Sequence, residues 1–249
     1  SDYPVTGTKG AVAMQGKTLQ DFPIAACWKP QNPHVLQLYA YPTPNGLKVS
    51  IALEELAVPY EAHCVVLSET RTPAFLSLNP NNKIPAIVDP NGPGSSALGL
   101  WESGAILLYL AQRYDGLLPR DEALKYQAVQ WVMFQVSGIG PMFGQFEYFT
   151  KFAGKAIEDP RPRECFTLEG QRLMQVLENH LGNRQWMMGD EYTIADISIF
   201  PWIRSARDYF DAGTAFRFDQ APNTMAWLER CLSRPASAAG LAKLQPAQD

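Results

Sequence analysis

The stretch Tyr39-Ala-Tyr-Pro-Thr-Pro-Asn-Gly-Leu-Lys48 separates two patterns of different period. Before it, Val35–Tyr39 alternates apolar and polar residues, which predicts a short buried strand. After it, apolar residues recur at helical spacing over Leu47–Leu56. Because two prolines inside the stretch exclude helix there, the sequence predicts a strand, a stiff turn and a helix that begins near Asn45.

This turn has the properties of an anion site. Free N–H groups at the positive end of a helix dipole attract negative charge. Thr43 adds a hydroxyl and Asn45 an amide donor, although a turn hydroxyl bonded to its own backbone and a plain helix cap are the simpler interpretations. The turn contains no cysteine, histidine or carboxylate. A nucleophile that works here is therefore expected to come with a ligand.

Composition limits the possible functions. The 249 residues carry a net charge of −4 without long charged runs, which argues against nucleic acid or a membrane surface as the main partner. No apolar run approaches a bilayer span, and the start of the sequence lacks a secretory pattern. Four scattered cysteines show no metal-ligand spacing, so we expect no metal site, reduced thiols and a cytoplasmic location, with one disulfide left open. They are Cys27, Cys64, Cys165 and Cys231.

Residues 35–117 alternate strand and helix patterns. A strand, a helix and a strand within about thirty residues form a βαβ unit, whose two strands are parallel. The predicted strands are Val35–Tyr39, Tyr60–Val66, Ile84–Val88 and Ala97–Trp101, and the predicted helices are Leu47–Leu56, Pro73–Leu78 and Gly104–Tyr114. We place the end of this domain between Leu117 and Arg120.

Residues 121–244 show only helical patterns and form a second predicted domain. The predicted helices are Asp121–Gly138, Arg163–Leu181, Thr193–Phe210, Asn223–Ser233 and Ser237–Lys243. Glycines and prolines in Gly138–Pro162 predict a helix break followed by an aromatic-rich connection. Thr193-Ile-Ala-Asp196 predicts a capping box. Residues 1–34 read as an irregular arm packed on the surface or on a partner subunit, or else as a floppy tail, and residues 245–249 as a tail.

The order β-α-β-α-β-β-α with Pro85 before the third strand, followed by a helical domain that carries Thr193-Ile-Ala-Asp196, resembles the cytosolic glutathione transferases, which have a thioredoxin-like α/β domain followed by an all-α domain. Four motifs narrow the resemblance further. The motifs are Thr43-Pro-Asn-Gly46, Asn79-Pro-Asn-Asn-Lys-Ile-Pro-Ala86, Glu102-Ser-Gly-Ala-Ile-Leu-Leu-Tyr-Leu110 and Gly138-Ile-Gly-Pro-Met-Phe-Gly144. Together they resemble the nu class, the glutathione-dependent disulfide-bond oxidoreductases. The resemblance covers about Val35–Leu244.

The resemblance implies a role for the predicted turn and for the strand after it. Thr43 and Asn45 would be the catalytic residues, holding the glutathione sulfur as a thiolate, with Tyr41 as a rival donor. Ile84 would pair through its backbone with the cysteinyl unit of glutathione. Pro85 would be cis, although a trans proline at a strand edge is the simpler interpretation.

The same resemblance assigns the two ends of glutathione. Glu102 and Ser103 would grip the γ-glutamyl end, unless both only cap their helix. Lys83 would pair with the glycyl carboxylate, unless it points into solvent, and Lys48 could do the same.

Two departures from the family pattern affect a second ligand. Cys165 stands where the nu class carries an arginine, for which Arg161 or Arg163 could substitute. The loop Leu67–Thr72 lacks the usual glutamine, and Arg71 could replace its contact.

The predicted function is reduction of small-molecule disulfides, and of organic hydroperoxides, by one or two bound glutathiones or through glutathione disulfide. The alternatives are conjugation of glutathione to electrophiles, a non-catalytic glutathione-binding regulatory module, and a protein with a relic site. The family relationship implies a homodimer. A substrate wall, or else plain core, is predicted from the aromatic residues Phe143, Phe146, Tyr148, Phe149 and Trp202.

Overall fold

The structure, a computed structural model, describes residues 16–245. Residues 1–15 of the predicted arm and 246–249 of the predicted tail lie outside the described residues. The first lobe consists in chain order of α1 (Ile24–Cys27), β1 (Leu36–Ala40), α2 (Pro44–Glu55), β2 (Tyr60–Cys64), α3 (Pro73–Leu78), β3 (Ala86–Asp89), β4 (Leu98–Trp101) and α4 (Ser103–Arg113).

The four strands form one sheet in the order β2-β1-β3-β4. β1 pairs parallel with β2, as the predicted βαβ unit requires, and β3 runs antiparallel to both β1 and β4. All five residues of β1 are buried, whereas β2 at the edge is half-buried throughout. This mixed sheet with its helices is the predicted thioredoxin-like arrangement.

The predicted arm packs on the sheet rather than forming an irregular segment throughout. Its residues 19–27 contain a 3₁₀ turn and α1, both too short to show a periodic pattern. Ile24 is fully buried, and the ring of Trp28 meets Tyr39 and Phe75 edge-on. The described part of the arm therefore covers the face of β1 that Tyr39 occupies.

The second lobe is all helical. It consists of α5 (Glu122–Phe134), a π turn (Gln135–Ile139), α6 (Gly140–Lys151), α7 (Arg161–Leu181), α8 (Ile194–Asp208), α9 (Pro222–Leu232) and α10 (Pro235–Lys243). No helix among residues 16–245 combines the length and apolarity needed to cross a membrane.

The break predicted at the start of Gly138–Pro162 is wrong, because helix continues there as α6 to Lys151. The chain passes from α5 into α6 through the π turn. A π turn is a single wide turn that occurs inside helices, so the helix continues through this segment. Pro141 lies in the first turn of α6, where a missing N–H is tolerated. A Cβ added at Gly140 would lie 2.8 Å from Nε2 of Gln135, so the Gln135 side chain would have to move.

The predicted capping box at the start of α8 is confirmed. The Asp196 carboxylate accepts from the Thr193 N–H at 3.0 Å, and Thr193 Oγ1 accepts from the Ala195 N–H at 3.2 Å. The same carboxylate accepts from the indole of Trp227 at 2.8 Å. The box thus ties α8 to α9 at the centre of the lobe.

Helix α2 joins the two lobes. Its residues 46–53 are all buried, because β1, α4, α8 and α10 pack around it. Ser50 Oγ donates to the Gly240 carbonyl at 2.9 Å, and Arg234 forms an ion pair with Glu55. The first turn of α2 therefore lies at the cleft between the lobes.

Candidate active site

Two adjoining cavities of about 570 and 560 Å³ form the cleft at the first turn of α2. The first extends towards β2 and the loop after it, and the second towards the start of α4 and the π turn. Both are lined by Asn45, Lys83, Glu147, Phe152 and Trp202. The cleft is therefore built by both lobes.

Thr43 is the residue that caps α2. Its backbone is extended and its Oγ1 accepts from the Gly46 N–H at 3.3 Å. Since this bond uses an acceptor lone pair, the hydroxyl proton remains free to be donated into the first cavity, which Thr43 lines. The cap and the predicted ligand contact are compatible.

The turn offers fewer backbone donors than the sequence predicts. Thr43 N–H donates to the Tyr41 carbonyl at 2.6 Å, and Leu47 N–H to the Thr43 carbonyl at 3.0 Å. Within residues 16–245, the Asn45 N–H has no hydrogen-bond partner. Tyr41, the predicted rival donor, lines neither cavity.

The side-chain amide of Asn45 is held in one orientation. Its Oδ1 accepts from Lys48 Nζ at 2.8 Å and from Trp202 Nε1 at 3.0 Å. An ammonium and an indole are donors only, so the atom facing them must be the oxygen. The Nδ2 group therefore remains free to donate into the cleft, and Asn45 is not a plain helix cap.

Lys48 does not reach for a carboxylate in the cleft, which the sequence allowed. It is fully buried, and its Nζ donates to Ser103 Oγ at 3.1 Å and to Gln135 Oε1. Ser198 donates to the same Gln135 oxygen at 2.8 Å. Burial lowers the pKa of Lys48 to about 7, against the opposing effect of the Glu102 charge.

The peptide bond between Ile84 and Pro85 is cis, as predicted. It lies directly before β3, and Ile84 lines the first cavity. No hydrogen bond to the backbone of Ile84 is found within residues 16–245. The backbone of Ile84 is therefore free to pair with an extended peptide. The strand begins at Ala86, two residues later than predicted.

Glu102 and Ser103 begin α4 at the second cavity. Neither side chain caps the helix, so the simpler interpretation of this pair is wrong. Glu102 is exposed and has a left-handed backbone, with φ of 72°. Such strain in a residue other than glycine is typical of functional sites. Ser103 is 5% exposed and its oxygen accepts from Lys48, which leaves its proton for a ligand.

Positive charge lies at the other end of the cleft. Lys83 and Arg71 are exposed and both line the first cavity. The proposed substitutes for the missing arginine do not reach the cleft, since Arg161 bonds Asp159 and Arg163 donates to the Ile157 carbonyl.

The comparisons with known proteins agree with this geometry. The sequence pattern described as "Glutathione S-transferase, N-terminal domain" matches residues 43–113, and "Glutathione S-transferase, C-terminal domain" matches residues 147–235. Disulfide-bond oxidoreductase YfcG of Escherichia coli is 41% identical over 85% of this chain and 96% of its own. The chain belongs to the glutathione S-transferase family.

Solved structures of similar transferases contain the ligand. A glutathione transferase from Burkholderia graminis, with two glutathione molecules bound per subunit, is 50% identical and superposes with a TM-score of 0.90 over 95% of this chain and 99% of its own. One from Pseudomonas putida, with one glutathione disulfide bound per subunit, is 51% identical with a TM-score of 0.88 over 91% and 99%.

The helical lobe of this glutathione S-transferase supplies the aromatic wall of the cleft, but only some of the predicted residues belong to that wall. Tyr148 and Trp202 line the cleft as predicted. Phe143 and Phe146 are buried against another ring of the core, and Phe149 stacks on Phe166. The remaining aromatic wall residues are Phe152, Tyr209 and Phe210.

Sequence reasoning missed two polar residues of the cleft. Gln135 lies in the π turn, which no sequence pattern indicated. Glu147 lies between the wall aromatics and borders both cavities, where burial raises its pKa and Lys151 opposes the shift. Lys48 was a candidate for the glycyl carboxylate, but it lines neither cavity and shares one face of α2 with the buried residues Ile51 and Ala52.

The cysteines take no part in the cleft. All four are described and free, and none lines either cavity. Burial raises the pKa of Cys64 and of Cys231, which makes both thiols poor nucleophiles. The described residues also contain no group of three or more side chains that could hold a metal.

Proposed function

We propose that this protein is a glutathione-dependent disulfide-bond oxidoreductase of the nu type. Its cleft has donors where a thiolate would lie but no thiol of its own. A relative that is 41% identical carries the name disulfide-bond oxidoreductase, and similar structures hold two glutathiones or glutathione disulfide. The site residues named here are part of the proposal.

The orientation of Asn45 is the observation that carries this proposal. Because Lys48 and Trp202 occupy Oδ1 from the protein side, the amide presents its N–H₂ group to the ligand. The Thr43 hydroxyl and the Asn45 backbone N–H converge on the same turn at the positive end of α2. These donors favour a thiolate over a thiol and lower the pKa of a bound thiol.

The other groups of the cleft match the remaining parts of glutathione. The Ser103 hydroxyl and the start of α4 suit the γ-glutamyl carboxylate, and Glu102 suits the ammonium. The open backbone of Ile84 pairs with the cysteinyl unit. Lys83 and Arg71 supply positive charge for the glycyl carboxylate. One glutathione bound this way spans both cavities and places its sulfur at Asn45.

Disulfide reduction then takes two exchange steps. The bound glutathione thiolate attacks one sulfur of a disulfide, an S–S bond forms, the old S–S bond breaks, and the second sulfur leaves as a thiolate that takes up a proton. A second glutathione thiolate attacks the mixed disulfide in the same way. The products are glutathione disulfide and two reduced thiols, and electrons come only from glutathione.

The wall of the first cavity also favours conjugation as a second activity. Trp202, Phe152 and Phe210 give an apolar surface beside the place of the sulfur. The same thiolate can attack an electrophilic carbon or the oxygen of an organic hydroperoxide held there. The proposal includes a homodimer, by analogy with the family, and a reducing compartment, which suits four free thiols.

A coupled assay tests the proposed function directly. The purified protein receives glutathione and hydroxyethyl disulfide, and glutathione reductase with NADPH reports the glutathione disulfide formed. We expect turnover that saturates with both substrates. The absence of any rate above the uncatalysed exchange would refute the oxidoreductase assignment, and the same preparation tested with an aromatic halide would measure conjugation.

A variant without cysteines tests whether the reactive sulfur belongs to glutathione or to the protein. Cys27, Cys64 and Cys165 are changed to serine, and the buried Cys231 to alanine, because a hydroxyl at that position would lack a partner. We expect kcat for disulfide reduction to stay within about twofold of wild type, since thiolate attack comes from glutathione. Loss of all activity in a folded variant would instead identify a protein cysteine as the nucleophile.

A further inference from the structure

Lys48 is a fully buried lysine that contacts both groups of residues proposed to hold glutathione. Its Nζ donates to Asn45 Oδ1 at 2.8 Å, beside the place of the sulfur, and to Ser103 Oγ at 3.1 Å, beside the place of the γ-glutamyl end. A third bond runs to Gln135 Oε1 in the helical lobe. One ammonium group therefore connects two ligand-binding elements and the opposite lobe.

The three partners define the protonation state that fits this position. The oxygens of Asn45 and Gln135 only accept, and the Ser103 oxygen has a lone pair for the third bond. The charged form provides three N–H donors, one for each of these acceptors. A pKa near 7 shows how weakly that charge is stabilised without a ligand, since burial is the main cause of its lowering. An anion placed next to the network stabilises the charge.

We propose that Lys48 is a positioning residue that orients Asn45 and Ser103 towards glutathione and supplies the positive charge that stabilises the glutathione thiolate. This inference rests on the proposed function and adds a residue that does not touch the ligand. Lys48 acts through Asn45, whose amide it turns, and through Ser103, whose hydroxyl proton it leaves free for the ligand.

The other charged groups near Lys48 are not placed to supply this positive charge. From α4, Glu102 is the carboxylate whose charge acts on the ammonium. The π turn and α8 present the neutral side chains of Gln135, Ser198 and Trp202 to the network. Other charges that border the described cleft lie at its rim or wall, on Lys83, Arg71 and Glu147.

Lys48→Met removes the charge and all three donors at nearly constant volume. The fold is expected to survive, because Asn45 Oδ1 keeps its bond from Trp202 and Gln135 Oε1 keeps its bond from Ser198. Ser103 Oγ loses its bond from Lys48, but Ser103 lines the second cavity, where water can take the place of that donor. Replacing a buried charge by an apolar group of similar size is often tolerated.

Gln135→Glu tests the charge without removing Lys48. A carboxylate at this position accepts the same bonds from Lys48 and Ser198, and it neutralises the ammonium within the network. This variant carries the test if Lys48→Met does not fold. Ser50→Ala is the matched control, because Ser50 is a buried polar residue of the same helix that bonds Gly240 instead of the cleft.

The measurement is the pKa of the glutathione thiol in the saturated complex, read from the ultraviolet absorbance of the thiolate. We expect this pKa to rise by about one unit in Lys48→Met and in Gln135→Glu, because each makes the net charge near the sulfur more negative by one. Affinity of Lys48→Met for S-methylglutathione, which has no thiol to ionise, should fall by only about fivefold, the loss for one weakened hydrogen bond. Ser50→Ala should match wild type in both.

A thiol pKa equal to that of wild type in either folded variant overturns the inference. The result is distinguishable from failure of the proposed function, which appears in wild type itself as a bound thiol with the pKa of free glutathione or as no binding. A purely structural role of Lys48 would lower the unfolding temperature and leave the thiol pKa where it was.

Discussion

Changing Asn45 to aspartate is expected to lower kcat for disulfide reduction about 10³-fold at neutral pH, the size of effect seen when a donor aimed at a developing anion is lost. The replacement has the shape of the original side chain. Its inner oxygen keeps the bonds from Lys48 and Trp202, so the turn is retained. Its outer oxygen meets the sulfur as an anion, and two adjacent negative charges disfavour the thiolate.

Steady-state kinetics and calorimetry together check this result. S-methylglutathione should still bind Asn45→Asp within about tenfold of wild type, because its thioether carries no charge to repel. Asn91→Asp is the control, since it adds the same charge at an exposed asparagine that bonds the His34 carbonyl away from the cleft. A kcat that is the same in Asn45→Asp and Asn91→Asp would remove Asn45 from the mechanism.

The second large effect is expected at Gly46, where replacement by alanine should destabilise the protein instead of stabilising it. Replacing a helical glycine by alanine usually stabilises a protein by about 1 kcal/mol. At Gly46 a Cβ would lie 2.1 Å from the Tyr41 carbonyl oxygen, so the turn itself must open. We expect Gly46→Ala to lower the free energy of unfolding by about 3 kcal/mol, as for other forced overpacking of a buried site.

Thermal unfolding and glutathione titration measure the two consequences. Opening the turn displaces Thr43 and Asn45, so affinity for glutathione should fall by at least about tenfold, or 1.4 kcal/mol. Gly144→Ala is the matched control for stability, because its Cβ would lie 3.9 Å from Trp202, in ordinary contact. That variant should be as stable as wild type or slightly more so. A stabilised Gly46→Ala would show that the turn has more room than the structure gives it.

Local patterns predicted the first lobe well, because each of its elements carries its own signal. The prolines of the turn and the threonine and proline that begin α3 act through their own backbone, as does the capping box of α8 in the second lobe. The cis bond at Pro85 was predicted from the family resemblance rather than from physics, since a proline before a strand fits either isomer.

The parts that could not be predicted depend on contacts between distant residues. A glycine–proline segment indicates a break, but here the packing of α6 on α7 and α8 carries the helix through a π turn. That turn places Gln135 against Lys48, a pair separated by 87 positions. Lysine is usually exposed. Only the tertiary structure shows that the face of α2 that carries Lys48 and Ile51 lies between the lobes.

The arm and the aromatic wall illustrate the same limit. Helical turns of three or four residues carry no period, so the packing of Ile24 and Trp28 on the sheet was not visible in the sequence. The wall aromatics Tyr148 and Phe152 and the core aromatics Phe143 and Phe146 occur within ten residues. Which of these rings lie in the wall and which in the core depends on the face of α6 that packs on the core. The π turn sets that face.

A crystal structure of the glutathione complex tests the central claim most directly. The account predicts the glutathione sulfur within about 3.5 Å of Asn45 Nδ2 and of Thr43 Oγ1, with the amide oxygen of Asn45 still bonded to Lys48. A sulfur that points away from the turn, or a tripeptide bound elsewhere on the protein, would contradict it.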